Sequence, residues 1–275
     1  MIQKILVAVA GRGLCEEMVN MLMGIPAFQK ASITLLHVVT PKTIAQDMAT
    51  QLEEGGKILA EAVQAVKVDA HKVNPRLKQG DPKIVVCEVA EEENADLIIM
   101  GSRALGRLRS ILEGSVSQYV FQLASVPMLL VKDDVYVKRI KRVMVALGKS
   151  EESKQSLELA LSFARDLKEN PIELILAHVN PPKAVNKPEE DEVLAAAAAQ
   201  AKKLGIKYRC ITSTGKAGPE LCQIAEDTNA DLLLLGSPDR RPTIAKSLVD
   251  LDLLLGNSIS DYVRVHADCP VLLVR

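Results

Sequence analysis

The sequence predicts an α/β protein made of two tandem domains, each an open sheet of parallel strands covered by helices. Two observations lead to this prediction. The second half of the 275-residue chain repeats the motifs of the first half in the same order. Within each half, short apolar runs alternate with longer amphipathic segments, and such alternation is typical of parallel sheets with helices packed on their faces.

Pairs of similar segments define the repeat. "KILVAVAGRG", from Lys4, resembles "RVMVALGKSEES", from Arg142, and "ENADLIIMGS" resembles "TNADLLLLGS". Further along, "EGSVSQYV" matches "GNSISDYV", and "SVPMLLVK" matches "DCPVLLVR". Because the order is the same in both halves, we predict homologous domains over residues 1–134 and 135–275.

The apolar runs "ILVAVA", "ITLLHVV", "LIIM" and "MLLV" predict the strands. Strands of a parallel sheet are covered on both faces, so they lack the polar alternation of half-exposed strands. Amphipathic spacing predicts helices over residues 53–67 and 151–168, with Ser150 and Ser153 near the start of the second. In "EEDEVLAAAAAQAKKLG" acids come first, lysines come late and Gly205 comes last, which predicts a third helix.

The composition disfavours nucleic-acid and membrane partners. A net charge of -1 gives no field that attracts nucleic acid or anionic lipid, and 3% aromatic residues without Trp leave little surface for stacking bases. The first apolar run, residues 5–10, is too short for a signal-peptide core or a membrane span. The five cysteines are scattered without a C-x-x-C pair, which fits reduced thiols. We therefore expect a cytoplasmic protein with no nucleic-acid or membrane partner.

The motifs for dinucleotide binding, for a P-loop and for catalysis are incomplete. "AVAGRGLCEE" has Gly-x-Gly after the first strand, but Glu16 stands where a dinucleotide fingerprint requires Gly or Ala. "ALGKS" ends like a P-loop, but Val143 stands where its first glycine is required. His37 and His178 each lie in an apolar strand, where a structural role is usual. The sequence contains no G-x-S-x-G and no nucleophile–base set, so it favours a protein that is not an enzyme.

The stretch "DLIIMGSRALGRLRSILEGSVSQYV" is the best candidate for a site. Gly101 ends a predicted strand, Gly114 precedes Ser115, and Ser115 is placed to cap the next helix. A helix N-terminus at the carboxyl edge of a parallel sheet binds phosphate readily, because its backbone N–H groups are unpaired. The connecting loop adds three cations, Arg103, Arg107 and Arg109. The same residues also suit an ordinary strand–loop–helix connection.

The combination of these segments resembles the universal stress protein family. The resemblance rests on "DLIIMGSR", "GSVSQYV" and "PMLLV", together with "ILVAV", "LLHVV" and "GDP", and it covers nearly the whole chain twice. It implies the fold of that family, an adenine nucleotide alpha hydrolase-like fold, with two tandem open parallel five-stranded sheets flanked by helices. The last strands of the two domains are expected to pair about a pseudo-two-fold axis, so that one chain forms an intrachain pseudo-dimer, and a further homodimer is a second expectation.

The resemblance also implies an adenine nucleotide, ATP or AMP, with Mg²⁺ accompanying ATP. The positions that it assigns to the ligand in the first domain are Ala10, Val38, Gly101, Ser102, Arg103, Gly114, Ser115, Val116 and Ser117. The weaker set in the second domain is Val179, Gly236, Gly256, Asn257 and Ser258.

The chain departs from the family pattern at several of these positions. Ala10, and Gly148 in the second domain, stand where the family has an aspartate that contacts the nucleoside, and Ala104 stands where it has a glycine. Gly236 and Gly256 are 20 positions apart, against 13 for the corresponding glycines of the first domain. The second phosphate loop is therefore expected to be rebuilt or lost.

Three functions compete at this point. The first is a stress-response regulatory protein whose first domain binds an adenine nucleotide, with an unknown protein as partner. The second is an interaction module that has lost nucleotide binding and works as a covalent pseudo-dimer. The third is a slow ATPase or a nucleotidyl-transfer enzyme of a related α/β fold. It ranks last, because the loop "AGRGLC" lacks the glycine-rich sequence of enzymes with that fold.

Overall fold

The structure is a computed structural model. It describes residues 2–41, 45–102, 115–132, 137, 139–165, 167, 171–182, 187–238 and 258–275. The chain divides into two compact units, residues 1–134 and residues 135–275.

The first unit is a sheet of five parallel strands with helices between them. The strand order is β3-β2-β1-β4-β5, and every neighbouring pair is parallel. The strands are β1 (Lys4–Ala8), β2 (Ser32–Val39), β3 (Val73–Gln79), β4 (Leu97–Ser102) and β5 (Met128–Lys132). The described helices are α1 (Leu14–Met23), α2 (Ala45–Ala65), α3 (Pro82–Glu92) and α4 (Val116–Leu123).

The second unit repeats this order. Its strands pair in parallel as β10-β9-β6-β7-β8. They are β6 (Arg142–Leu147), β7 (Glu173–Asn180), β8 (Tyr208–Thr214), β9 (Leu232–Gly236) and β10 (Val271–Val274). The described helices are α5 (Glu151–Ala164), α6 (Glu192–Lys203), α7 (Ala217–Asp227) and α8 (Ile259–His266). The predicted parallel α/β fold with two tandem five-stranded sheets is confirmed.

An aspartate at the same place in each unit fixes the start of the first strand. Asp96 Oδ2 accepts hydrogen bonds from the backbone nitrogens of Gln3 (2.8 Å) and Lys4 (2.9 Å). Asp231 Oδ2 accepts the equivalent bonds from Lys141 (2.9 Å) and Arg142 (2.8 Å). The repeated "NAD" therefore has a structural role, which is to join the turn before the fourth strand to the beginning of the first.

The helix boundaries differ in part from the sequence-based expectations. The helix predicted over residues 53–67 belongs to the longer α2, Ala45–Ala65, which begins eight residues before the predicted start and ends two residues before the predicted end. The helix predicted over residues 151–168 ends at Ala164, since Arg165 has an extended backbone (φ -68°, ψ 145°). The third prediction is confirmed by α6, and Gly205, at φ +66°, follows it closely.

Candidate functional site

The predicted site residues of the first unit lie at the carboxyl edge of adjacent parallel strands. Val38 is near the end of β2, and Gly101 and Ser102 end β4. Ala10 follows β1, which runs between those two strands, and is exposed. The parallel register therefore brings these four positions to one edge of the sheet. Two further predicted residues, Arg103 and Gly114, lie outside the described residues, as do Ala104, Arg107 and Arg109.

The N-terminus of α4 is capped by Ser115, as predicted. The backbone of Ser115 is extended (φ -65°, ψ 148°), and its hydroxyl accepts a hydrogen bond from the Gln118 nitrogen at 3.3 Å. Ser117 Oγ lies 3.4 Å from Ser115 Oγ, and Val116 is half-buried at the first helical position. A short helix with two hydroxyls and a neutral residue in its first turn leaves a partial positive charge that is not compensated by a side chain of that turn.

The N-terminus of α1 is built differently. Its N-cap is Gly13, at φ +73°, and Gly13 has no side chain with which to cap the helix. Two acidic residues, Glu16 and Glu17, follow in the first turn and compensate the helix dipole. Burial raises the pKa of the Glu16 carboxyl, and Glu17 adds to this increase. This terminus is therefore a poorer anion site than that of α4.

Among the described residues, little surrounds Gly101. A Cβ atom on Gly101 would have the Cys15 sulfur as its nearest neighbour, at 3.9 Å, which is an ordinary contact. Burial and the nearby Glu16 raise the pKa of the Cys15 thiol to about 12, although a hydrogen bond from the Gly101 backbone opposes this. Because only the thiolate is a nucleophile, Cys15 is a packing residue at this edge and not a reactive one.

The corresponding edge of the second unit is crowded. A Cβ atom on Gly236 would lie 2.6 Å from both the Glu152 carbonyl carbon and the Ser153 nitrogen, so the first turn of α5 sits directly against the end of β9. The Ser153 hydroxyl accepts a hydrogen bond from the Gly148 nitrogen at 2.7 Å, and Ser150 caps α5. At this edge the Gly148 N–H is thus bonded within the unit, and the end of β9 is covered by α5.

Three of the five weaker predicted positions, Val179, Gly236 and Ser258, lie in the described residues. Val179 is half-buried near the end of β7, and Ser258 caps α8 by accepting a hydrogen bond from the Asp261 nitrogen at 3.1 Å. Gly256 and Asn257 lie outside the described residues. Ser258 thus caps α8 as Ser115 caps α4, but the end of β9, at Gly236, lies against protein backbone.

A polar cluster around His178 was not predicted. His178 Nδ1 lies 2.7 Å from Asp191 Oδ2, which also accepts a hydrogen bond from the Asn180 amide at 2.9 Å. Asp191 caps α6, and Asn180 reaches Thr212 at 3.0 Å. The only signal in the sequence was an aspartate directly before an alanine-rich helix. The equivalent His37 instead contacts the Val9 carbonyl oxygen at 2.9 Å.

The described residues contain no group of three His, Cys, Asp or Glu side chains arranged to hold a metal ion.

No helix in the described part of the chain is both long and apolar enough to cross a membrane.

Comparison with known sequences identifies the group to which these features belong. A sequence model of the universal stress protein family matches residues 1–132 and again residues 139–275. A universal stress protein of Mycolicibacterium smegmatis is 26% identical over 267 residues, which cover 89% of this chain and 87% of the relative. A universal stress protein of Bacillus subtilis is 26% identical over 148 residues, covering 48% of this chain and 100% of the relative.

A solved structure supports the fold. The crystal structure of a universal stress protein from Archaeoglobus fulgidus superimposes with a TM-score of 0.74 at 23% identity, covering 99% of this chain and 96% of the other. At this level of identity the likeness concerns the fold and leaves the ligand to be argued from the residues themselves.

Proposed function

Because the chain belongs to the universal stress protein family, we propose that it is a stress-response regulatory protein whose first unit binds an adenine nucleotide, ATP or AMP. The observation behind this proposal is the geometry at α4. Its N-terminus carries the hydroxyls of Ser115 and Ser117, and at the neighbouring strand end the nearest described atom to a Cβ on Gly101 would be the Cys15 sulfur, at 3.9 Å. A helix N-terminus with unpaired N–H groups favours phosphate.

The proposed ligand would extend from this helix across the strand ends. Val38 supplies an apolar surface for the base at the end of β2. Ala10, at the end of β1, supplies no carboxylate for the ribose, so modest affinity is expected. A hydrogen bond to a charged group contributes about 1.5–3 kcal/mol, so its absence weakens binding by roughly tenfold to a hundredfold.

Nucleotide binding is proposed for the first unit alone. The second unit has the first turn of α5 against Gly236, which removes the open strand end on which the first unit relies. Binding would bias the conformation or the choice of protein partner, and no chemical step is needed for this.

The test is isothermal titration calorimetry of ATP and AMP with the wild type and a matched pair of variants. Ser115→Ala and Ser258→Ala each remove the side-chain cap of one helix, α4 and α8. We expect ATP to bind the wild type at one site per chain, Ser115→Ala to weaken it about tenfold, and Ser258→Ala to leave it unchanged. Equal losses in the two variants would contradict binding at the first unit.

An interaction module without a ligand is the second candidate, and Ala10 favours it. If no heat is released by millimolar ATP, and if mass spectrometry of freshly denatured protein finds no adenine nucleotide, this second function replaces the first. The intrachain pseudo-dimer, a further homodimer, an unknown protein partner and a cytoplasmic location stay predictions. That the protein is at most a slow ATPase also stays a prediction.

A further inference from the structure

Three serine hydroxyls are linked by hydrogen bonds at the N-terminus of α8. The Ser237 hydroxyl, which is fully buried, donates to Ser260 Oγ at 3.3 Å. Ser260 Oγ lies 2.9 Å from Ser258 Oγ, and the Ser258 hydroxyl donates to Asp261 Oδ2 at 2.6 Å. Because the proton of the Ser258 hydroxyl is donated to Asp261, the hydrogen bond between Ser258 and Ser260 requires the Ser260 hydroxyl to be the donor. All three hydroxyls therefore point toward one carboxylate.

Asp261 is well placed to act as an anion at this helix. It is 6% exposed, it lies three residues after the capping serine, and its own backbone N–H is bonded to Ser258. Arg264 Nη2 lies 3.9 Å from its other carboxylate oxygen. The negative charge compensates the positive end of the helix dipole, and it uses the hydroxyl proton that a phosphate oxygen would otherwise accept.

The first unit has the same serines but not the carboxylate. Ser115 and Ser117 correspond to Ser258 and Ser260, and Gln118 corresponds to Asp261. Gln118 is 5% exposed, and its side-chain oxygen Oε1 accepts no hydrogen bond from any described residue. The proton of the Ser115 hydroxyl is therefore not taken by the third residue of the helix, and the first turn stays uncharged.

We infer that Asp261 is an internal anion that occupies the place of a phosphate at the N-terminus of α8, and that the residue at this position decides which unit accepts an external oxyanion. Gln118 leaves the first unit open to a phosphate group, and Asp261 closes the second. The part of this inference that concerns the first unit rests on the proposed nucleotide binding, whereas the part that concerns Asp261 does not.

The second unit is tested with inorganic phosphate as the probe. Amide signals of residues 259–261 are followed by ¹H–¹⁵N NMR in the full chain during a phosphate titration, with sodium chloride at matched ionic strength as the control. We expect no saturable shift in the wild type and a saturable shift in Asp261→Asn. Should Asp261→Asn give no folded spectrum, Asp261→Gln, which copies the first unit, takes its place.

The first unit is tested by the reciprocal change. Gln118→Asp should weaken ATP binding by about tenfold or more, because it places a carboxylate against the phosphates. Gln118→Asn adds no charge and should stay within about threefold of the wild type. A stable fold is expected for Gln118→Asp, since a serine followed three residues later by an acid is a favourable helix start.

The outcomes separate the two proposals. Saturable phosphate shifts at residues 259–261 in the wild type, or none in a folded Asp261 variant, would overturn the role of Asp261. Equal ATP affinity in Gln118→Asp and Gln118→Asn would overturn the role of this position in the first unit. A wild type that binds no ATP would refute the proposed function and leave the phosphate titration of the second unit decisive for Asp261.

Discussion

Gly236 lies against the backbone of Ser153, so closely that a Cβ atom on the glycine would be 2.6 Å from the Ser153 nitrogen. Real Cβ atoms do not approach backbone this closely, and backbone in the first turn of a helix cannot move aside as the tip of a flexible side chain can. Gly101, at the same place in the first unit, has no such neighbour among the residues that the structure describes. The two equivalent glycines should therefore tolerate a methyl group very differently.

We expect Gly236→Ala to lower the free energy of unfolding by about 1–3 kcal/mol, which is typical of overpacking. Gly101→Ala should change it by less than about 1 kcal/mol, because its Cβ would meet only the Cys15 sulfur at 3.9 Å. Urea denaturation followed by circular dichroism measures both. Equal midpoints for the two variants would show that α5 is not held against β9 in solution.

The adjacent glycines of α2 provide a second matched pair. A Cβ on Gly55 would lie 2.8 Å from Val39 Cγ2 and 3.0 Å from His37 Cδ2, whereas a Cβ on Gly56 would have no neighbour within 4 Å. Gly56→Ala should stabilise the protein by about 0.5–1 kcal/mol, because glycine is a poor helix former. Gly55→Ala should destabilise it by about 1 kcal/mol, since the gain in helix propensity is smaller than the cost of the crowding.

Thermal unfolding of Gly55→Ala and Gly56→Ala under identical conditions gives the comparison. The prediction is tested by which variant has the higher unfolding temperature, because both variants add the same methyl group to the same helix. A Gly55→Ala protein as stable as Gly56→Ala would mean that α2 is farther from β2 than the structure places it.

The third prediction concerns Asp191 and pH. Burial would raise the pKa of this carboxyl, but hydrogen bonds from His178, Asn180 and the Leu194 backbone outweigh it and hold the pKa below its usual value. A depressed folded-state pKa adds stability that is fully present above the unfolded value, 3.8, and is lost as the pH falls through the folded value. Asp191→Asn should therefore cost about 1–2 kcal/mol at neutral pH, and this cost should shrink below pH 3.8.

Ser150→Ala serves as the control for Asp191→Asn. It removes the cap of α5, which is held by a hydroxyl that does not titrate, so its cost should not follow the same pH course. Unfolding free energies from urea titrations at pH 7 and at several values between pH 5 and pH 2 measure both variants. If the difference in unfolding free energy between Asp191→Asn and the wild type did not change with pH, this would contradict an ionised Asp191 carboxylate stabilised by hydrogen bonds.

The fold was predictable because its signals are local. Strands that are apolar on both faces indicate a parallel sheet, and a serine before an amphipathic run indicates a helix start, as at Ser115 and Ser150. The duplication could be read because the motifs recur in the same order. Each of these inferences needs only residues that are close together in the chain or a comparison of the chain with itself.

The differences between the two edges were less accessible. The contact between Gly236 and Ser153 joins segments that are far apart in the sequence. The residues "LLLLGS" contain no signal that a helix covers the end of this strand. The bond between His178 and Asp191 depends on how the start of α6 lies over β7. The direction of the hydrogen bonds that lead from the serines to Asp261 depends on which hydroxyl is the donor in each bond. Only the three-dimensional structure shows this.

The bond from Asp96 to the Lys4 backbone also constrains the order in which the first unit can be completed during synthesis. It closes a loop with a sequence separation of 92 residues, and β1 pairs with β4 along the same line. Closing so long a loop costs entropy before the sheet contacts form, which makes such pairing slow compared with helix formation. During synthesis, β1 therefore keeps one side of its backbone unpaired until β4 has left the ribosome.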